Sequence, residues 1–400
     1  MTETAPISLR WRIDPPVSLV SDGAVALGVL FALDRRGLAA HPPRRLNLVV
    51  AQVGAPKPTR AVELRQAFVD IRDAARKGDR VTWIAARGAL PAERIDDAFG
   101  DPVPTLAAAL TLGAQAITAI RDPEAATRLV IVVNTAVGEP MQDLLGAASA
   151  LSEQAIGVEL FCAHPAADLG LLTRLANLGG GETRVHEARQ SLAVALVERV
   201  EELRDQRVLD AQIELAFSPI VQPGQLFRVE PRPVFLRNIR LGDDSRALTI
   251  ELGPVTLRGP DPTFLLSATL PKRRIGRYRL FDARIYTRES GERALWTGGA
   301  VQRCSADPHE AGEVEAEVVA ARERVEVTAW AEDVARAYAE GDARRVSSTL
   351  DRLVRHFVTL GHAGAVEQIA AMRLRFLRSG SLGRQDVNRL RRLAAAPTAL

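Results

Sequence analysis

The chain has 400 residues, 47% hydrophobic and 25% charged, with 52 basic against 49 acidic side chains. This composition excludes a disordered chain, the near-neutral charge gives no argument for a basic surface, and the length points to two or three domains. Two cysteines, Cys162 and Cys304, exclude a disulfide scaffold, and neither has a Cys or His neighbour at zinc spacing.

In residues 7–13, Ile7, Leu9, Trp11 and Ile13 recur at period two between Ser8, Arg10 and Arg12, which predicts a half-buried strand. Pro15-Pro16 breaks it. Residues 17–20 and 24–33 read as further strands, and residues 34–37 as a turn. Residues 24–33 are the most apolar stretch and fall well short of the ~18 residues a membrane helix needs.

From residue 46 the pattern changes. Residues 46–53 are almost continuously apolar, as in a strand covered on both faces. Leu64, Phe68, Ile71 and Ala75 then keep helical spacing. Strands are predicted at 79–86, 129–134, 158–162 and 183–187, and helices at 105–120, 141–154, 169–178 and 192–203, with Gly179 to Gly181 as a turn. Such alternation argues for a parallel sheet with helices on both faces.

After about residue 210 the period returns to two. Short strands at 213–217, 235–239, 248–252, 264–270 and 278–286 predict an antiparallel sandwich. The N-terminal strands have no sheet of their own, so they are expected to pair with this one, making the α/β unit an insertion. From about residue 310 the chain is helical in short runs, a set of antiparallel helices forming a C-terminal arm. The resulting units are 1–42 (first sandwich strands), 43–207 (α/β domain), 208–305 (rest of the sandwich) and 306–400 (helical region).

The α/β segment resembles a von Willebrand factor A domain. More narrowly, the whole chain is similar to bacterial cytosolic proteins in which such a domain sits within a β-sandwich and precedes a helical tail. The matching stretches are 45–50 (RLNLVV), 78–83 (GDRVTW), 105–110 (TLAAAL), 128–134 (RLVIVVN) and 175–181 (LANLGGG), in that order. The resemblance implies a Mg²⁺ site built from Asp-x-Ser-x-Ser after the first strand, a Thr at a helix opening and an Asp after a later strand. Mg²⁺ requires hard oxygen ligands in near-octahedral geometry, with carboxylate charge to offset its desolvation.

Here those positions have changed. One alignment places Val53, Ala55 and Lys57 at the strand-one positions; a shift by one places Gln52, Gly54 and Pro56 there, and neither supplies an Asp or a Ser. Asn134, followed by Thr135, stands where the later Asp is expected, and Thr105 alone is kept. Lys57 pointing inward would add a repelling charge. Thr105 and Asn134 also read as a helix cap and a turn residue. No metal, no cofactor and no catalytic residue is therefore expected. Gln52, Val53, Gly54, Ala55, Lys57, Thr105, Asn134 and Thr135 form the candidate interaction rim.

Other motifs carry no chemistry. None of the six histidines pairs at i, i+4, and His164 reads as a loop residue. No Gly-x-Ser-x-Gly elbow occurs, and Gly179 to Gly181 is followed by Glu182, not by a phosphate-loop Lys. Asp96-Asp97 and Asp243-Asp244 read as solvated loops. The tail carries Arg373, Arg375, Arg378, Arg384, Arg389, Arg391 and Arg392 against Asp386, with Phe376 its one aromatic, so nucleic-acid stacking is not expected. The acidic residues of 310–317 are expected to offer that tail a partner, within the molecule or between copies.

All basic residues except Lys57, Lys77 and Lys272 are arginines, the bias of a GC-rich bacterial genome. The N-terminus lacks a signal-peptide pattern and no transmembrane segment is read, so a reduced cytoplasm is the expected setting. The expected function is a non-enzymatic, metal-independent scaffold or adaptor in a bacterial multi-protein system. The resemblance implies a protein partner such as an ATPase, a kinase or another enzyme; no small-molecule substrate is expected. Two alternatives are a weak Mg²⁺ site built on Thr105, Asn134 and waters, and a small-molecule-binding or enzymatic α/β domain using the same crevice.

Overall fold

The computed structural model describes residues 7–395, apart from 21–22, 41, 121, 123, 155, 165–166, 179–180, 186–190, 231–232, 239–245, 258–260 and 288–292. Gly179, Gly180, His186, Glu187, Asp243 and Asp244 lie outside the described residues. The chain opens with β1 (Ser8–Asp14), β2 (Val17–Leu19) and β3 (Val25–Asp34). β1 and β3 pair antiparallel with Trp11 opposite Phe31.

The α/β unit follows as β4 (Arg45–Val53), α1 (Pro58–Asp73), β5 (Arg80–Ala85), β6 (Gly88–Pro91), α2 (Ile95–Gly100) and α3 (Leu106–Ala119). It continues through β7 (Ala125–Val133), α4 (Met141–Glu153), β8 (Gly157–Cys162), α5 (Leu169–Leu178), β9 (Thr183–Val185) and α6 (Leu192–Arg204). The sheet order is β6-β5-β4-β7-β8-β9, parallel except for β6. Alternate residues of β4 feed two cores. Val49, Ala51 and Val53 pack with α3, α4 and α5, while Leu48 and Val50 pack with α1 and α6. Burial of both faces explains why the strand reads as a continuous apolar run.

Two small elements depart from the sequence reading. The four residues of β6 are too few to show a period. Asp96 and Asp97 are not in a solvated loop: they occupy the first turn of α2, where the helix dipole favours acids. Arg65 and Arg94 pair with them at 2.7 and 2.5 Å.

The chain then runs through β10 (Gln206–Phe217), β11 (Gln222–Glu230), β12 (Val234–Asn238), β13 (Ala247–Thr256), β14 (Thr263–Leu270), β15 (Gly276–Tyr286) and β16 (Trp296–Ser305). One sheet has the order β1-β3-β14-β11-β12, the other β13-β10-β15-β16-β2. Their facing sides share a core that includes Val29, Phe31, Ile213, Leu215, Leu266 and Ile285. The N-terminal strands thus complete both sheets, and the α/β unit is inserted between strands of the sandwich.

The helical region comprises α7 (Pro308–Ala311), α8 (Ala316–Ala339), α9 (Ala343–Thr359), α10 (Ala363–Ser379) and α11 (Arg384–Ala395). It does not project as a free arm. The first half of α8 buries Val318, Ala321 and Val325 against Leu30, Val229 and Leu265 of the sandwich. Its second half shares a core with α9, α10 and α11, through residues such as Val334, Leu350, Met372 and Leu390. At the far end, Asn388 Nδ2 of α11 donates to the Ala167 carbonyl at 2.7 Å, beside the α/β sheet.

Within one chain, no pairing of residues 310–317 with the basic tail is found among the described residues. Glu315 and Glu317 pair with Arg12 at 3.1 and 2.8 Å, and Glu310 with Arg303 at 2.8 Å. The tail finds its acids within the bundle: Arg373 meets Asp351, Arg375 meets Asp386, and Arg391 meets Glu332.

Candidate functional site

The strand order reverses at β4, which has β5 on one side and β7 on the other. In an open α/β sheet a ligand crevice lies beyond the carboxyl ends of the strands at such a point. The loops there are fixed by backbone hydrogen bonds. Gly54 N–H donates to Val103 C=O at 2.9 Å, Val103 N–H to Gln52 C=O at 2.8 Å, and Asn134 N–H to Val53 C=O at 2.9 Å. These bonds bring the residues after β4, before α3 and after β7 to one place.

Gln52 is buried, at 2% exposure. Its Nε2 donates to the Gly54 carbonyl at 3.4 Å, and Asn134 Nδ2 donates to the same oxygen at 3.1 Å. Two amides therefore converge on one backbone carbonyl. Gln52 Oε1 is buried and has no hydrogen-bond partner among the described residues. Val53 is 1% exposed and belongs to the core under α3. Gly54 has φ +70°, and a Cβ there would lie 3.0 Å from the Thr135 Cβ, so both backbone and space require glycine.

Ala55 and Lys57 are exposed. Lys57 occupies the N-cap position of α1, with Pro58 following, and its carbonyl accepts from the Arg60 and Ala61 N–H groups at 2.8 and 3.0 Å. Its exposed side chain puts no charge inside the crevice. Thr105 caps α3: its Oγ1 accepts from Ala108 N–H at 3.1 Å. Gln52, Val53, Gly54, Asn134 and Thr135 are thus brought together, Val53 by its backbone, while Ala55, Lys57 and Thr105 follow in the adjoining loop and helix starts.

Sequence reasoning missed Glu139. Its Oε1 accepts from the Leu106 and Ala107 N–H groups at 2.5 and 3.2 Å, and its Oε2 from Gly138 N–H at 3.0 Å. A carboxylate on the otherwise open N–H groups of a helix is the charge the dipole favours. The one available signal was that Glu139 is the only acid in residues 134–140. Arg60 was also missed; its guanidinium donates to the Ala163 carbonyl at 2.5 Å and ties α1 to the end of β8. His164 is half-buried just beyond that strand, and its carbonyl accepts the Cys162 thiol at 3.3 Å. Burial pushes the Cys162 thiol pKa up, which suppresses the thiolate. Among the described residues, no three His, Cys, Asp or Glu side chains cluster as metal ligands would.

No family model matches the chain, and no curated protein matches it. Solved structures do. A von Willebrand factor type A protein from Catenulispora acidiphila superposes with a TM-score of 0.77 at 12% identity, covering 99% of this chain and 98% of its own. The ArnB paralog VWA2 from Sulfolobus acidocaldarius gives 0.51 at 10% identity, with 98% of both chains covered. The human COPII-coat protein Sec24c gives 0.50 at 11% identity, covering 91% of this chain and 59% of that one. At such identities the likeness is one of fold, and it extends over the sandwich and helices as well as the α/β unit.

Proposed function

We propose that this von Willebrand factor A fold, carried as an insertion in a β-sandwich, serves as a non-enzymatic protein-interaction scaffold, and that its crevice rim works without a metal ion. The fold supports a protein-interaction role at the coarse level. The metal-free reading is carried by the shared bonding of Gln52 and Asn134 to the Gly54 carbonyl. Both amides spend an N–H on that carbonyl, and neither supplies a carboxylate. Mg²⁺ requires hard oxygens and carboxylate charge, and the one carboxylate at the rim, Glu139, has both oxygens engaged by backbone N–H groups. This donor set does not fit the ion.

The surface left to a partner combines the exposed Ala55, Lys57 and Thr105 with exposed apolar side chains on the adjoining helices, Val62 at 78% and Met141 at 50%. Thiolate chemistry is disfavoured at both cysteines, which are buried and whose pKa values burial raises. The partner class favoured by this reading is another protein of the same multi-component system.

Calorimetric titration with Mg²⁺ and Mn²⁺ tests the metal-free reading. No saturable heat is expected, and micromolar binding that Thr105→Ala abolishes would overturn it. Lys57→Glu tests the rim: affinity purification from the native host should lose co-purifying proteins while the melting temperature stays put. Unchanged capture would place the interface elsewhere.

A further inference from the structure

Helix α10 is held on three sides and open on the fourth. Ile369, Met372 and Phe376 point into the bundle core, at 0%, 0% and 4% exposure. On one flank Arg373 donates to Asp351 of α9 at 3.0 Å, and on the other Arg375 donates to Asp386 of α11 at 2.5 Å. The remaining face carries Ala363, Glu367, Ala370, Leu374 and Leu377, spaced 4-3-4-3 as in the seam of a two-helix pair. All five are exposed, Leu374 at 48% and Leu377 at 54%. Arg378 borders the seam, and neither it nor Glu367 forms an ion pair with another described residue.

The seam is self-complementary under a two-fold rotation. In an antiparallel pair centred near residue 372, Leu374 of one copy meets Ala370 of the other, large against small. In the same register Glu367 lies opposite Leu377 of the other copy with its carboxylate beside Arg378, and the rotation makes that ion pair twice. A two-fold interface uses one patch against itself, which is what this pattern provides. We propose that the outer face of α10 is the contact between two copies of this chain, packed antiparallel through Leu374, Leu377 and Ala370, with Glu367–Arg378 pairs at its ends. The 17-residue helix is about 25 Å long, so the contact is small and the self-association weak.

Sedimentation equilibrium of the full chain between about 1 and 100 μM, the range set by a small interface, tests this. The wild type is expected to move toward twice the 43.3 kDa of one chain. Leu374→Glu should remain monomeric throughout, with unchanged circular dichroism because the site is exposed. Glu367→Arg and Arg378→Glu should each weaken self-association about tenfold, since each sets like charges opposite one another twice. Mixing these two variants should restore association, because arginines then face glutamates at both ends. A monomeric wild type would overturn the proposal, leaving the face to another occupant. So would a dimer indifferent to Leu374→Glu, or single-charge variants that mixing does not rescue.

Discussion

Gln52 and Glu159 lie on the same face of the parallel sheet, under α1 and α6, with Glu159 level with Val50 across β7, two residues further from the crevice than Gln52. Both are buried, at 2% and 1% exposure. At the crevice end, Gln52 and Asn134 are neutral and share a backbone carbonyl. Two residues further from the crevice, on β8, Glu159 is ionic: Arg199 of α6 donates to its two oxygens at 3.1 and 3.0 Å, and Glu182 N–H donates to it at 3.1 Å. Buried Arg128 stands 3.9 Å from the same carboxylate, with Gly157 leaving the room its guanidinium fills. Burial opposes the Arg199 charge, and the carboxylates of Glu159, Glu182 and Glu202 outweigh it, holding its pKa above the ordinary arginine value. One sheet face thus keeps a buried charge where cations surround it and carries neutral amides at the crevice. The difference teaches that charge is kept where this chain supplies its own counterions.

The sharpest way to break that comparison is to remove the acid from the ionic site. Glu159→Ala strands Arg199 beside Arg128 without its main counterion, and should cost about 3–5 kcal/mol of stability, the penalty for an uncompensated buried charge. Denaturant unfolding measures it; a loss below about 1 kcal/mol would mean that water already reaches the network. The reverse change sharpens the comparison at the crevice. Gln52→Asp combined with Asn134→Asp places acids where oxygen ligands are lacking. The doubly substituted chain should gain a Mg²⁺-dependent melting temperature, worth about 2.7 kcal/mol at a hundred times Kd, while the wild type shows none. If neither chain responds to Mg²⁺, more than these two acids separates the crevice from a working ion site.

The frame around the crevice is the next target. Gly54→Ala forces a side chain into φ +70° and against Thr135, and should cost about 2 kcal/mol, read as a lower melting temperature. Glu139→Ala opens the N-terminus of α3 and should cost about 1 kcal/mol. A neutral outcome at Glu139 would show that Thr105 suffices as the cap.

Legibility followed the same physics. β4, β7 and β8 were readable because burial on both faces writes a continuous apolar run, and β1 because one buried face writes an alternation. β11 and β16 were not, since Pro223-Gly224 in one and Gly298-Gly299 in the other interrupt the period. Gln52, Thr105 and Asn134 came to notice through the order of strands and helices that the chain shares with its fold relatives. Glu139 and Arg60 could not, because each acts on backbone brought near only by folding, across 33 and 103 residues. The Glu159 network was equally hidden: a charged residue inside an apolar strand gives no sign of where its counterion lies in sequence.

The smallest expected effect concerns an ion pair outside the sheet. Asp333 of α8 pairs with Arg345 of α9 and accepts from Thr349 Oγ1 at 3.2 Å. The Arg345 hydrogen bond holds the Asp333 carboxyl below its ordinary pKa, against the opposing effect of burial. A carboxyl depressed in the folded state stabilises the fold above its unfolded pKa, about 3.9, and loses that contribution as pH falls through the folded value. Stability should therefore decline below about pH 4, and Asp333→Asn should flatten that part of the curve. Arg345 is 41% exposed, so solvent screening limits the pair to below about 1 kcal/mol, well under the loss at Glu159. A pair on the bundle surface that matched the loss at Glu159 would contradict the view that burial among fixed counterions sets what a charge is worth in this chain.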